Sequence, residues 1–333
     1  MASREQQLIS WLEMVLGNAS FTIAPASSDA SFRRYFRITS DGRTLIVMDA
    51  PPSHENCQPF IHTAQVFAEA GLNVPRVLEQ NLELGFLLLT DLGDTTYLSA
   101  IQNGRISPND LYRDACLALV TLQKASQRNV FPDYDDALLT REMHLFPDWY
   151  ITKHLQIELT EEQRGSLQGM FDLLNRNILA QPQVYVHRDY HSRNLMLCET
   201  NPGVLDFQDA VFGAITYDLV SLLKDAYVQW EEEQVLDWAV RYWQAARKAG
   251  LPVAQDFAEF YRDFEWMGVQ RHLKVLGIFA RLYHRDGKDG YLKDMPLVMH
   301  YLYAACTRYR ELGPLVKLLD QLEGKQPVVG YTF

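Results

Sequence analysis

His187-Arg188-Asp189-Tyr190-His191-Ser192-Arg193-Asn194 is the stretch on which the reading of this chain turns, together with Leu205-Asp206-Phe207-Gln208 shortly after it. Both lie in a short β-like island that runs from Val184-Tyr185-Val186 through Val204-Leu205-Asp206-Phe207. Around the island the apolar spacing is helical, most clearly over Leu111 to Gln127, Glu161 to Leu179, Leu219 to Ala249 and Phe257 to Tyr283. Further upstream the pattern changes again. Ser27 to Ile38 and Thr44-Leu45-Ile46-Val47-Met48 read as strands on either side of an Asp41-Gly42 turn, a hairpin signature. A helix-compatible segment from Gln58 to Ala70 stops at Gly71, and Val74 to Leu78 and Gly85 to Leu89 read as two more strands. The residues up to about 92 therefore form a small β-rich unit, and residues 93–333 a larger, mainly helical one, with no internal repeat.

The residue types in the island fit one kind of chemistry. A hydroxyl attacking a phosphate needs a carboxylate to orient it and take its proton, and Asp189 is placed for that. Magnesium bridging phosphates needs hard oxygen donors, and the Asn194 amide and the Asp206 carboxylate supply them. With each residue taken at about one in twenty, the four fixed positions His187, Arg188, Asp189 and Asn194 arise by chance about once in several hundred chains of this length. A correctly placed Asp206 makes chance a weaker account still.

This pattern of loop, second acidic segment and helical tail behind a β-rich start resembles the aminoglycoside phosphotransferase/choline kinase superfamily. The resemblance implies an α+β, bilobal protein-kinase-like fold, with a nucleotide-covering lobe over 1–92 and a catalytic and substrate-binding lobe over 93–333. Within that superfamily, Ser28 to Arg37, Met48-Asp49-Ala50-Pro51-Pro52, Trp149-Tyr150 and Val204 to Ala210 are similar to the family of bacterial anomeric amino-sugar kinases. Those enzymes phosphorylate the C1 hydroxyl of N-acetylmuramate and N-acetylglucosamine in peptidoglycan sugar recycling. The resemblance implies ATP and Mg as cofactors, Asp189 as base, and Asn194 and Asp206 as metal ligands. It places the nucleotide against Ser28, Ser31, Phe32, Arg33, Arg34, Met48, Asp91 and Leu92.

One departure stands out. Where such kinases carry a strand lysine paired with a helix glutamate, this chain has Met48, and the partner position falls near Ile61. Losing both together is physically sensible, since either charge alone would be unpaired in the cleft. Another cation must then meet the phosphates, and Arg33, Arg34 and Arg37 are at hand; strand alternation puts Arg33 and Arg37 on one face and Arg34 on the other. The plain alternative is that they are solvated edge charges.

Candidate acceptor contacts are weaker signals. Asp135, Glu142 and Trp149 lie in an aromatic and acidic stretch suited to sugar hydroxyls and apolar sugar faces, or equally to helix packing. Asp209 either faces the same site or caps a following helix. Asp218, in Tyr217-Asp218-Leu219, reads as support for the catalytic loop. Arg271, Lys274, Arg281 and Arg285 recur at helical spacing. A solvated helix face is the stronger reading for the group, with Arg271 a candidate partner for a substrate carboxylate.

Composition narrows the classes. The 333 residues carry 31 Lys+Arg against 42 Asp+Glu, a net charge of −11, with 47% hydrophobic and 22% charged residues. That excludes wholesale disorder and argues against nucleic-acid or membrane partners, which need a cationic face. Leu8, Ile9, Trp11, Leu12, Val15 and Leu16 make the N-terminal segment an amphipathic helix rather than a signal peptide. Scattered Cys57, Cys116, Cys198 and Cys306 read as reduced thiols rather than a zinc site. The expectation is a cytoplasmic monomer acting on a small-molecule amino sugar. The rivals are an aminoglycoside or other amino-alcohol kinase, and a pseudokinase binding module suggested by the missing lysine and glutamate. The joint presence of Asp189, Asn194 and Asp206 argues against the last.

Overall fold

The computed structural model describes residues 3–17, 20–28, 32–104 and 106–324. The chain forms two compact units, one of residues 1–122 with 193–210, the other of 123–192 with 211–333. The junction expected at residue 92 falls inside the first unit, directly after its sheet.

The first unit is built on an antiparallel sheet of β1 (Thr22–Ser28), β2 (Arg34–Ser40), β3 (Arg43–Asp49), β4 (Val77–Asn81) and β5 (Phe86–Thr90), in the order β1-β2-β3-β5-β4. The β2–β3 hairpin turns at Asp41 and Gly42, whose φ angles of 52° and 74° are those of a type I′ turn. Strand β5 begins after Gly85 (φ +70°), where a Cβ would stand 1.9 Å from the Ala50 carbonyl oxygen, so only glycine makes this turn. Helix α1 (Arg4–Leu16) contains the whole amphipathic run: a capping box of Ser3 and Gln6 starts it and Gly17 ends it. Its Leu8, Trp11 and Leu12 pack with Ile38, Val47, Phe86 and Leu88. Each such side chain contributes about 1.5–3 kcal/mol on burial, enough to hold α1 to one face of the sheet. Because strand side chains alternate, Met48 points to the face opposite Val47. Also in this unit are α2 (Gln58–Glu69), α3 (Tyr97–Gln102), the start of α4 (Pro108–Lys124) and a ribbon of β7 (Leu195–Met196) and β8 (Gly203–Val204).

The second unit pairs β6 (Gln183–Val186) with β9 (Val211–Ala214) among helices α5 (Asp136–Met143), α6 (Glu161–Ala180), α7 (Tyr217–Leu223), α8 (Glu232–Lys248), α9 (Phe257–Asp286), α10 (Met295–Arg308) and α11 (Gly313–Leu322). The single helix expected over Leu219 to Ala249 is two, α7 and α8. The break releases Asp225 from helical geometry, and its carboxylate accepts hydrogen bonds from the Ser192 amide (3.0 Å) and hydroxyl (2.5 Å). The aromatic stretch after α5 forms a π-helical segment, Phe146–His154, a geometry that recurs at functional sites. Among the described residues no helix is long and apolar enough to cross a membrane.

Candidate active site

The loop that follows β6 carries Asp189, the expected base. Buried Asp218, on the first turn of α7, accepts hydrogen bonds from the backbone amides of His187 (2.6 Å) and Arg188 (3.0 Å), the supporting role expected of it. Arg188 takes a left-handed φ of 78°, a conformation non-glycine residues rarely adopt. The next residue, Asp189, has its side chain 42% exposed and its amide 3.2 Å from His187 Nδ1. Burial of its surroundings pushes the Asp189 carboxyl up, but the cations Lys274 and Arg271, then His191 and Arg188, outweigh this and hold it below the usual carboxylate range. Arg271 Nη2 lies 4.0 Å from Asp189 Oδ1, while its Nη1 donates to the Arg188 carbonyl (2.9 Å) and the Tyr217 hydroxyl (3.0 Å). Burial likewise pushes Asp218 up, to about 7, against the two amides it accepts from.

Behind Asp189 is a buried charge cluster that the sequence reading did not assemble. Glu142 pairs with Arg188, accepts from the Tyr134 hydroxyl, and lies 2.9 Å from Lys274 Nζ. Lys274 also donates to Tyr217 (2.9 Å). The solvated-face reading of Arg271 and Lys274 is therefore corrected: both are buried, whereas Arg281 is half-buried and Arg285, paired with Asp286, is exposed. They face inward because α9 packs against the π-helical segment at Gly277, where a Cβ would meet the Leu145 carbonyl carbon at 2.3 Å.

The two expected metal ligands, Asn194 and Asp206, belong to the first unit. The β7–β8 ribbon is tied there by the Leu197 amide to Thr95 and the Val204 amide to Asn73, both at 2.8 Å. On it the Leu205 amide donates to the Asn194 carbonyl (2.9 Å), and the Asn194 amide nitrogen and Asp206 Oδ2 are 3.4 Å apart. Asp206 has a left-handed φ of 61°, and the Phe207 ring is set against Phe60 (4.9 Å) and Phe67 (5.8 Å) of α2, which anchors the segment. An amide oxygen and a carboxylate side by side are a hard donor pair of the kind magnesium uses alongside phosphate oxygens, so the residues fit the ion.

The other predicted positions fall as follows. Met48 is buried. Arg34 chelates the buried Asp49, which Arg4 also holds (2.8 Å), and Arg37 grips Asp91 at 2.7 and 3.0 Å. The Leu92 carbonyl accepts from Cys198 (3.1 Å). Phe32 is 62% exposed, its ring 4.5 Å from His54. Arg33 reaches Asp206. Ser28 ends β1, and Ser31 lies outside the described residues. Asp135 caps α5 through the Leu138 amide (2.8 Å), Trp149 sits half-buried on the π-helical segment, and exposed Asp209 precedes strand β9, so it caps no helix. The sequence reading named Lys274 and Tyr217 but gave neither a place at the site, and it missed Asp225. Lys274 stands one helical turn past Arg271, a spacing that could have grouped the two, whereas Asp225 lies past the end of α7 and no periodicity marks it.

The α+β fold, with Asp189 on a supported loop and Asn194 beside Asp206, has the features expected of a kinase-like phosphotransferase. Residues 22–257 match the phosphotransferase enzyme family, and the chain belongs to it. It is 51% identical over 99% of both chains to the N-acetylmuramate/N-acetylglucosamine kinase of Neisseria meningitidis. To the protein of the same name in Pseudomonas aeruginosa it is 50% identical, over 96% of this chain and 97% of that one. Its fold is similar to that of a choline kinase from Streptococcus pneumoniae (TM-score 0.64, 10% identity, 90% and 99% of the two chains). An ADP-bound aminoglycoside phosphotransferase is similar too (TM-score 0.56, 14% identity, 89% and 97%).

Proposed function

We propose that this enzyme transfers the γ-phosphoryl group of ATP to the anomeric C1 hydroxyl of N-acetylmuramate or N-acetylglucosamine, in the cytoplasm, as a step of cell-wall sugar recycling. The observation that carries the substrate class is the 51% identity, over 99% of both chains, with a kinase so named. Asp189 orients the attacking hydroxyl and accepts its proton. A hemiacetal C1 hydroxyl is more acidic than an ordinary sugar alcohol, so a carboxylate held below its usual range, as Asp189 is, suffices. Magnesium held by Asn194 and Asp206 would neutralise charge on the phosphates. Ser28, Ser31, Phe32, Arg33, Arg34, Met48, Asp91 and Leu92 are the proposed nucleotide contacts, some through backbone alone since Arg34 and Asp91 are committed to ion pairs. Asp135, Trp149, Asp209 and Arg271 are the proposed acceptor contacts. Glu142 supports the loop instead, because its carboxylate is buried and paired.

The cations Arg188, Arg271 and Lys274 around the base weigh against a polycationic aminoglycoside as acceptor. They suit a sugar bearing a carboxylate. The test is ATP consumption with N-acetylmuramate, N-acetylglucosamine, a 1-O-methyl glycoside and kanamycin. The first two should be phosphorylated and the glycoside inert. Turnover of the glycoside would remove the anomeric assignment, and turnover of kanamycin alone would remove the amino sugar.

A further inference from the structure

Three arginines crowd the end of the β1–β2 connection and the strand after it, and the structure commits two of them elsewhere. Arg34, 53% exposed, spends its guanidinium on Asp49, and Arg37 chelates Asp91 and also donates to the Gly93 carbonyl (2.7 Å). Arg33 differs. Its side chain is only 11% exposed, and Nη2 lies 3.6 Å from Oδ1 of Asp206, the proposed metal ligand. Meanwhile β3, the strand that would carry a phosphate-binding lysine, offers buried Met48.

We propose that Arg33 is the cation that meets the nucleotide phosphates in place of the strand lysine, and that it holds Asp206 only until metal and nucleotide arrive. The inference rests on the ATP-dependent reading above. A guanidinium and a divalent cation cannot both take the same carboxylate without repelling each other, so Arg33 at Asp206 opposes metal binding. Phosphate oxygens are a better partner for a planar, bidentate donor than one carboxylate oxygen at 3.6 Å. When nucleotide binds, Arg33 moves to the phosphates and Asp206 is released to the metal. Metal and nucleotide therefore bind cooperatively, and by linkage each strengthens the other equally.

The experiment measures binding rather than turnover, on the full chain. Mn²⁺ alone is titrated by water-proton relaxation, and Mg·ATP by calorimetry, in wild type, Arg33→Gln and Asp206→Asn. Arg33→Gln should bind Mn²⁺ alone severalfold more tightly and Mg·ATP about tenfold to a hundredfold more weakly, the scale of a lost charge-assisted contact. A residue that merely props the loop would weaken both together. Equal weakening of both, or Mg·ATP affinity within about twofold of wild type, overturns the proposal. Should Arg33→Gln fail to fold, Arg33→Lys carries the test, because an ammonium keeps the charge but cannot chelate: Mg·ATP should weaken, and wild-type affinity overturns the proposal. Asp206→Asn should lose Mn²⁺ binding; if it keeps it, the metal assignment beneath the proposal falls, and the proposal with it.

Discussion

Lys274 Nζ lies 2.9 Å from Glu142 Oε1, with both side chains buried. Arg188 and the Tyr134 hydroxyl complete the shell of Glu142, and the burial that would push its carboxyl up is outweighed by Lys274 and Arg188, so it stays ionised. The residue before the base is thereby pinned to two helices. Replacing Glu142 with Leu leaves two cations without their anion, and a broken buried pair costs about 3–5 kcal/mol. Chemical denaturation should show a loss of that order. A variant of wild-type stability with a raised sugar KM would mean that Glu142 binds substrate.

Gly277 is the second expected point of sensitivity. A Cβ there would meet Leu145 backbone atoms at 2.3 and 2.4 Å, and backbone cannot swing aside as a side chain tip does. Gly277→Ala should therefore destabilise by about 1–3 kcal/mol, and more if α9 cannot shift. Because α9 also positions Arg271 and Lys274, catalytic rate should fall as well. Thermal unfolding and kcat measured together check this, and an unchanged melting temperature would contradict the close packing.

Removing the proposed base, Asp189, should separate chemistry from binding. Asp189→Ala is expected to lower kcat by about 10²–10⁴ while leaving nucleotide affinity unaltered, since the base serves the acceptor hydroxyl. In wild type the acid limb of the rate profile should lie below the ordinary carboxylate range. Arg271→Gln removes one of the cations that hold Asp189 there, so the limb should move to higher pH. A limb that stays put in that variant would disconnect Arg271 from the base.

Asp218 gives a pH dependence of stability with a definite sign. Its folded value, about 7, lies above that of an unfolded aspartate, so between roughly pH 4 and 7 the folded state binds a proton that the unfolded state has released. Stability from this group is full below pH 4 and is lost as pH rises through 7, at a slope of at most about 1.4 kcal/mol per pH unit. Asp218→Asn cannot titrate and should flatten that slope in denaturation curves taken across the window. An identical slope in wild type and variant would exclude the effect.

Much of this protein was legible in the order of its residues. The Asp41-Gly42 turn, the helices from Gln58 and Glu161, and the loop from His187 to Asn194 are local events, governed by backbone preference and by neighbours a few positions away. Asp189, Asn194 and Asp206 could be singled out as candidates for the same reason: loop and acidic segment lie close together in the chain, and residue type limits what each can do. Other features depend on pairs far apart in sequence. Whether Arg271 and Lys274 face solvent or Glu142 is decided by Gly277 against Leu145, a contact across more than a hundred residues. The break between α7 and α8 lets Asp225 turn to Ser192, and helical periodicity runs through such a break unseen. Arg33, Arg34 and Arg37 have identical side chains, and only Asp49, Asp91 and Asp206, brought beside them by folding, make one of them different from the other two. A charge acts on whatever lies within a few ångströms of it, and that neighbourhood is a property of the folded chain.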